Sequence, residues 1–166
     1  MTNSRRTFLK YSAVAAGSAF LFPESFLFGE KKSDSNQEVL KQKFELAMTE
    51  GLSEKTMSEV MASIGQSFLD APYKAHTLEV EGKERLVVNL KEFDCVTFVE
   101  NTLALSRCVK LKKTTFDEFK KHLQRIRYRG GKTNNFPSRL HYFSDWIDDN
   151  ENKGIVKNIT QELGGV

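Results

Sequence analysis

Apolar residues recur at the period of an α-helix in three stretches of the chain. The three stripes consist of Leu40, Phe44 and Ala47, of Met57, Val60, Met61, Ile64 and Phe68, and of Phe116, Phe119, Leu123 and Ile126. Gly51 and the pair Gly130-Gly131 are plausible C-terminal stops, and Pro72 excludes helix from the residue before it. The pattern predicts three amphipathic helices, the second starting near Ser53, each with one face against a core.

The stretch from Cys95 to Arg107 has apolar residues on more than one helical face. A surface helix carries a single apolar stripe, so this helix is predicted to be buried on most sides and central. The aromatic-rich stretch "RLHYFSDWIDDNENKG" predicts one further short helix.

Alternation of apolar and polar residues predicts strands elsewhere. The stretch "HTLEVEGKERLVVNL", residues 76–90, is typical of two short strands around a turn at Glu81-Gly82-Lys83. The stretch "IVKNITQELGGV" is typical of a strand and a turn. The whole pattern predicts an α+β fold in which the helices supply most of the core.

The first 29 residues are typical of an export signal. Arg5 and Arg6, in "SRRTFLK", form a twin-arginine pattern, and "YSAVAAGSAFLF" follows with about the length of a signal h-region. A basic N-terminal helix on the domain is the alternative. We predict a twin-arginine signal at residues 1–29, a flexible polar spacer at 30–37 and a domain at 38–166. The predicted location is the periplasm, or another compartment reached by the twin-arginine route.

The positive charge of the chain is concentrated in that signal. Residues 1–29 hold Arg5, Arg6 and Lys10 against Glu24, a net of +2 out of the +3 of the whole chain, which leaves +1. No stripe of basic and aromatic residues follows, so the sequence indicates no nucleic-acid partner. It also indicates no membrane association after signal cleavage.

Export to an oxidising compartment would favour a disulfide between the two cysteines. Cys95 and Cys108 are thirteen residues apart in one predicted helix, which places them about 20 Å apart along its axis. A disulfide requires Cα atoms within about 7 Å. The spacing therefore predicts two free thiols.

Asp94 is a natural helix N-cap, which would place Cys95 in the first helical turn. The helix dipole and the free backbone N–H groups favour a thiolate there, as a nucleophile requires. A packed core residue is the alternative for Cys95. Cys108, near the far end of the helix, is predicted to be an inert apolar residue.

A nucleophilic cysteine also needs a base, usually a histidine. His122 is predicted to face solvent on its helix, and His76 to open a strand. His141 lies close in sequence to Arg139 and Asp145, a group that suits either a small-molecule pocket or a structural corner. No His, Cys, Asp or Glu group has the spacing of metal ligands, so we expect no metal and no cofactor.

Five stretches in order carry a family resemblance: "GQSFLDAPYKAHTLE", "LVVNLKEFDCVTFVENTLALSR", "RIRYRGG", "SRLHYFSDWI" and "ITQELGG". Together they resemble the bacterial N-acetylmuramoyl-L-alanine amidase-like family, originally labelled a domain of unknown function. That family is a branch of the NlpC-type, papain-like cell-wall cysteine peptidases. The resemblance covers about residues 60–166, and "FDCVTFVE" and "RLHYFSDWI" are its specific motifs.

The resemblance implies a papain-like α+β domain with a cysteine at a helix N-terminus packed on an antiparallel sheet. It implies hydrolysis of the amide bond between N-acetylmuramic acid and L-alanine in peptidoglycan fragments (muropeptides). Cys95 matches the family nucleophile, and Tyr73 matches a tyrosine that borders it and helps to position substrate or an oxyanion. The family's other motif, which implies substrate binding or pocket shaping, contains Arg139, His141, Ser144 and Asp145.

The chain departs from the family in one respect. Family members continue past the Gly-Gly pair, and their general-base histidine lies in that later portion, where neither His122 nor His141 matches it. The resemblance therefore implies the N-terminal half of an amidase domain, inactive alone or completed by a separately encoded C-terminal half. A non-enzymatic remnant or muropeptide-binding module is the alternative. A thiol redox protein is disfavoured because the chain has no Cys-x-x-Cys motif.

Overall fold

The computed structural model describes residues 35–165, which contain five α-helices joined by turns and extended segments. They are α1 (Ser35–Thr49), α2 (Met57–Gln66), α3 (Cys95–Lys110), α4 (Phe116–Arg127) and α5 (Phe143–Asn152). Short 3-10 helices lie at Leu52–Glu54, Arg129–Gly131 and Phe136–Ser138. All five helices predicted from the sequence are confirmed. The predicted twin-arginine signal lies outside the described residues.

Helix α3 is the centre of the core, as the distribution of its apolar residues predicts. It packs against α2 on one side and α4 on another. Its apolar residues Leu103, Ala104, Leu105 and Val109 are buried. Burying a leucine side chain contributes about 1.5–3 kcal/mol, so this helix supplies a large part of the stabilisation of the domain.

Helix α3 also buries polar side chains that bond to its own backbone. The Asn101 amide donates to the Thr97 carbonyl at 2.7 Å, and the Ser106 hydroxyl donates to the Thr102 carbonyl at 2.8 Å. An unpaired buried donor would destabilise the fold by about 1–3 kcal/mol. These local bonds let a helix with polar residues lie in the core.

The N-terminus of α2 differs from prediction by a few residues. Helix α2 begins at Met57, because Thr56 and Glu59 form the capping box that starts it, and not near Ser53. Helix α4 begins after Thr115, whose hydroxyl accepts from the Glu118 backbone N–H at 3.2 Å. The two bonded caps decide where each helix begins.

Residues 76–90 form no strand ladder, so the prediction of two strands was wrong. Residues 84–89 have no regular secondary structure, and side chains rather than a neighbouring strand bond to the backbone of this segment. Asn36 accepts from the Leu90 N–H at 2.9 Å, and the Tyr128 hydroxyl donates to the Arg85 carbonyl at 3.0 Å. Within residues 35–165 the β-type pairing consists of two isolated bridges, Tyr73 with Phe93 and Tyr128 with Arg139. The described part of the chain is therefore mostly helical, and it lacks the strands that the α+β prediction included.

The C-terminal strand was also wrongly predicted. Residues 155–165 are coil and turns. The backbone N–H of Ile155 donates to the Asn150 carbonyl at 2.8 Å, and that of Leu163 donates to the Ile159 carbonyl at 3.1 Å. In a strand these backbone N–H groups would donate to a neighbouring strand, but here they donate to carbonyls a few residues earlier in the chain.

Helix α1 begins inside the segment predicted as a spacer. Ser35–Gln37 are helical, because Asn36 is tied to Leu90 by the bond described above. Residues 30–34 of the predicted spacer lie outside the described part. Among residues 35–165, no helix has the length and apolar character needed to span a membrane.

Candidate active site

Cys95 is the first residue of the central helix, and its side chain is exposed. Asp94 is the N-cap: its carboxylate accepts from the Thr97 backbone N–H at 2.7 Å. The Thr97 hydroxyl accepts from the Asp94 backbone N–H at 2.9 Å, which completes a capping box. The cap predicted from the sequence is present. Most of α3 is buried, so a thiol at its first turn is presented to solvent by a rigid element.

Cys108 lies in the same helix but in a different environment. It is fully buried, and both cysteines are free thiols, as their spacing predicts. Burial raises the pKa of the Cys108 thiol to about 12. Nucleophilic cysteines react as thiolates, so Cys108 is chemically inert in the folded protein.

Tyr73 lies beside the segment that leads into the helix. It forms a parallel bridge with Phe93, in which the Lys74 N–H donates to the Phe93 carbonyl at 2.9 Å. The Phe93 ring packs edge-to-face on Phe68 and Phe98, which holds this segment on the core. The Tyr73 side chain is 75% exposed. The fold therefore brings a tyrosine with a free side chain to the entrance of α3.

His76 follows on the same segment in a left-handed backbone conformation (φ 62°). It does not open a strand, as predicted, but a turn. Its Nδ1 is bonded to the Glu79 carboxylate at 2.9 Å, and this bond raises the pKa of the imidazole. The negative charge of Asp94 acts in the same direction.

The "RLHYFSDW" residues do not converge on one pocket. The Arg139 guanidinium is buried and lies 3.5 Å from the Glu84 carboxylate. His141 Nε2 donates to the Phe136 carbonyl at 2.8 Å. Asp145 pairs with Arg129 at 3.2 Å. The structure separates side chains that are neighbours in sequence, because Arg139 lies before a turn and Asp145 lies on α5.

Two other residues of that motif lie on α5: Ser144 on its first turn and Trp146 on its buried face. Ser144 is exposed. Trp146 is 3% exposed, and its ring stacks on Phe143 with centroids 5.2 Å apart. The indole is therefore a core residue rather than part of a ligand pocket.

His122 was predicted to face solvent and is instead half-buried. Burial lowers the pKa of its imidazole, and the nearby Arg107 charge acts in the same direction. Of the described hydrogen bonds, those of His76 and His141 go to Glu79 and Phe136, and no histidine is bonded to the Cys95 thiol. Within residues 35–165, no three His, Cys, Asp or Glu side chains gather as a metal site would require.

Sequence reasoning missed a buried polar network behind the site. Glu100 and Arg127 form an ion pair of 2.7 Å with both side chains 1% exposed. A second polar group lies next to it in the chain: the Tyr128 hydroxyl donates to Glu84 at 2.8 Å, and Glu84 also lies 3.5 Å from Arg139. One signal was available: Glu100 lies in the middle of a helix that is apolar on several faces, and a buried carboxylate requires a partner.

The fold and the site define a helical domain that presents a free cysteine thiol at the N-terminus of its central helix. The model of the AmiA-like family, described as N-acetylmuramoyl-L-alanine amidase-like, matches residues 63–166. That match covers most of the chain and includes Cys95. The chain belongs to this family, and the resemblance read from the sequence motifs is confirmed.

Solved structures of similar proteins are longer than this chain. An N-acetylmuramoyl-L-alanine amidase from Bacteroides uniformis is 46% identical, with a TM-score of 0.56, over 59% of this chain and 41% of its own. A Bacteroides fragilis protein described as a candidate xylanase is 46% identical, with a TM-score of 0.56, over 60% of this chain and 43% of its own. A Legionella pneumophila protein from a domain-of-unknown-function family is 23% identical, with a TM-score of 0.59, over 74% and 40%.

The chain thus spans about two fifths of the length of the solved structures that it matches. The Legionella similarity concerns the fold alone. No curated protein sequence matches the chain.

Proposed function

We propose that this chain carries the nucleophile of an exported cysteine amidase that hydrolyses the N-acetylmuramoyl-L-alanine bond of muropeptides. One observation carries the proposal: in an amidase-like domain, the exposed thiol lies on the first turn of a buried helix whose cap is fully bonded. A nucleophile gains from such a position because it is held in one geometry while the substrate approaches from solvent.

The chemistry has two steps. The Cys95 sulfur attacks the carbonyl carbon of the muramoyl lactyl group, and the C–N bond breaks as the amine of the L-alanyl peptide takes a proton. Water then attacks the resulting thioester, which releases the muramoyl carboxylate and returns the thiol. The backbone N–H groups at the start of α3 are suitable donors for the oxyanion that forms in each step.

Both steps need a group that moves protons. His76 and His141 are bonded to other residues in the described part, so neither is poised on the thiol. We propose that the chain alone turns over slowly or not at all, since general acid–base catalysis contributes about 10²–10⁴-fold. A separately encoded chain that supplies the base and completes a papain-like central sheet is the partner that this proposal requires.

The remaining roles follow from position. Tyr73, exposed beside the entrance of α3, is proposed to border the bound substrate, and Arg139 to bind it. His141, Ser144 and Asp145 are proposed only to shape the outer wall. No metal or organic cofactor enters the proposed chemistry, and the muropeptide is the only ligand.

The proposed site of action is the periplasm, or another compartment reached by the twin-arginine route. The support is the Arg5-Arg6 pair and the apolar run that follows it. A fusion of residues 1–40 to a reporter that requires folded export tests this. Export by the native segment that Arg5→Lys with Arg6→Lys abolishes is expected, and equal export by both would overturn the location.

The test of the amidase measures L-alanyl peptide released from an anhydro-muropeptide by the wild-type chain, by Cys95→Ala and by Cys108→Ala. The wild type and Cys108→Ala are expected to release it at the same slow rate or not measurably, and any measurable release is expected to be lost in Cys95→Ala. Measurable release that Cys95→Ala retains contradicts Cys95 as the nucleophile. Xylan is assayed in parallel as a second compound, because a similar protein is described as a candidate xylanase.

A muropeptide-binding module without chemistry is the second candidate, favoured by the absence of a histidine bonded to Cys95 in the described residues. It predicts muropeptide binding in calorimetry that Cys95→Ala leaves unchanged, with no turnover by the wild type. Cys95-dependent turnover would reject it.

A further inference from the structure

A cavity of about 760 Å³ lies between the turn at residues 134–136 and the segment at residues 78–84. Its size is within the range of small-molecule sites, about 300–1,000 Å³. Its lining combines the apolar residues Leu78, Val80 and Phe136 with the charged residues Glu79, Glu81, Lys83, Glu84 and Arg139. Polar groups that converge on a concave surface are typical of a site that orients a ligand.

Arg139 is the buried charge in the wall of this cavity. The residue is 8% exposed, and its guanidinium carbon lies 5.2 Å from the centre of the Phe136 ring. Its backbone is fixed by the bridge with Tyr128, and the Leu140 N–H donates to the Arg127 carbonyl at 3.0 Å. The guanidinium is therefore held in place by backbone and ring contacts.

The guanidinium is not fully paired. Its Nε lies 3.5 Å from Glu84 Oε1 and has no hydrogen-bond partner among the described residues. The same Glu84 oxygen already accepts from the Tyr128 hydroxyl at 2.8 Å. A guanidinium offers five N–H donors, and a buried charge without acceptors is costly. Arg139 thus has donor capacity that the protein itself does not use.

The other charged residues of the cavity do not pair with the remaining N–H donors of Arg139. The Glu79 carboxylate is bonded to His76, and Glu84 is shared between Tyr128 and Arg139. Glu81 and Lys83 are exposed at the rim, where water solvates them. An acceptor from a ligand would complete the pairing of Arg139.

We propose, on the basis of the proposed function, that the cavity is a subsite for the peptide stem and that Arg139 binds a stem carboxylate. A guanidinium matches a carboxylate with two parallel hydrogen bonds, which favours an anion over a neutral amide of the same shape. The position also fits, because Glu79 in the cavity wall is bonded to His76, and Tyr73, three residues before His76, is bridged to Phe93 just before the nucleophile.

The test compares two probes on the full chain with Cys95→Ala, which prevents turnover. One probe is N-acetylmuramoyl-L-alanyl-D-glutamate, and the other is its diamide, which replaces both carboxylates by uncharged groups of similar size. Calorimetry is expected to show tighter binding of the diacid by roughly 10–100-fold, the range for a hydrogen bond to a charged group. Arg139→Gln is expected to abolish the preference, and Arg139→Lys to retain part of it.

The matched control is Arg125→Gln, which removes an exposed guanidinium on α4 whose described bond is to the Lys153 carbonyl. It should keep the full preference. Equal affinity for the two probes, no binding of either, or an unchanged preference in Arg139→Gln overturns the subsite. If circular dichroism shows that Arg139→Gln does not fold, the comparison of probes on Cys95→Ala decides alone. Loss of the preference while Cys95-dependent turnover is intact overturns the subsite and leaves the amidase, and turnover that Cys95→Ala retains with the preference intact overturns the amidase and leaves the subsite.

Discussion

The Glu100 carboxylate and the Arg127 guanidinium pair inside the protein, with Oε2 and Nε 2.7 Å apart. Arg127 also donates through Nη1 to the Val87 carbonyl. The pair therefore joins α3, α4 and the segment at residues 84–90.

Removing one partner leaves the other as an uncompensated buried charge. Arg127→Met is expected to lower the free energy of unfolding by about 3–5 kcal/mol, measured by urea denaturation. The double variant Glu100→Gln/Arg127→Met should lose less free energy of unfolding than the two single variants lose together. The matched control is Lys121→Met, which breaks the exposed Lys121–Glu118 pair and is expected to have no measurable effect. A small effect of Arg127→Met would show that the pair does not stabilise the core.

The cap of α3 gives a second prediction. Asp94→Ala removes the acceptor of the Thr97 N–H and is expected to destabilise the domain by about 1 kcal/mol. Asp94→Asn can still accept this bond and should be close to wild type. The measurement is the urea midpoint of the three proteins at constant pH. Equal losses in Ala and Asn would assign the effect to the charge rather than to the cap.

The two thiols should differ in reactivity. Cys95 is exposed and Cys108 is fully buried with its pKa raised to about 12. Iodoacetamide at neutral pH is expected to label one cysteine in the folded chain and two in urea, as read by mass spectrometry. Cys95→Ser should abolish folded-state labelling, and Cys108→Ser should not. Rapid labelling of Cys108 in the folded protein would contradict the packing of α3.

The pKa values of two histidines should lie on opposite sides of the ordinary histidine value. Burial lowers the pKa of His122, and the bond to Glu79 raises the pKa of His76. The ordinary value is about 6.5, and NMR of the imidazole C–H groups measures both shifts. Glu79→Gln should return His76 towards the ordinary value without moving His122. A His76 pKa unchanged by Glu79→Gln would reject the bond as the cause.

The lowered pKa of His122 also sets the sign of a stability change. The unfolded chain binds the proton more readily, so stability falls as the pH drops through the ordinary value towards the lowered one. His76 acts in the opposite sense: its contribution is present at low pH and is lost as the pH rises through its raised pKa. His122→Gln should therefore reduce the loss of stability between pH 7 and pH 5, measured as the change in urea midpoint. An unchanged pH profile would contradict the burial of His122.

Much of the fold and part of the site follow from local patterns. The pattern of apolar residues located four helices and an aromatic-rich stretch located the fifth, and Asp94 before Cys95 located the cap of the central one. Both features depend on residues within four positions of one another, since helix periodicity and capping are local. The start of α2 was misplaced by a few residues, because Ser53 and Thr56 are both residue types that cap a helix.

The strands show where this reasoning failed. Residues 76–90 alternate as a half-buried strand does, but alternation records burial and not the partner that bonds to the backbone. That partner is a set of side chains from distant parts of the chain, among them Asn36 and Tyr128. The "RLHYFSDW" motif failed in the same way, because side chains adjacent in sequence point to different surroundings.

The sequence by itself determined the helices, the exposed position of Cys95 at the start of the central one, and membership of an amidase-like family. Only the tertiary structure decided that Glu100 pairs with Arg127 and that Arg139 lines a cavity with part of its guanidinium unpaired. It also decided that His141 is bonded to the Phe136 carbonyl and not to the thiol. The physical reason is that helix formation and capping are satisfied by near neighbours. The pairing of buried charges depends on which distant elements pack together.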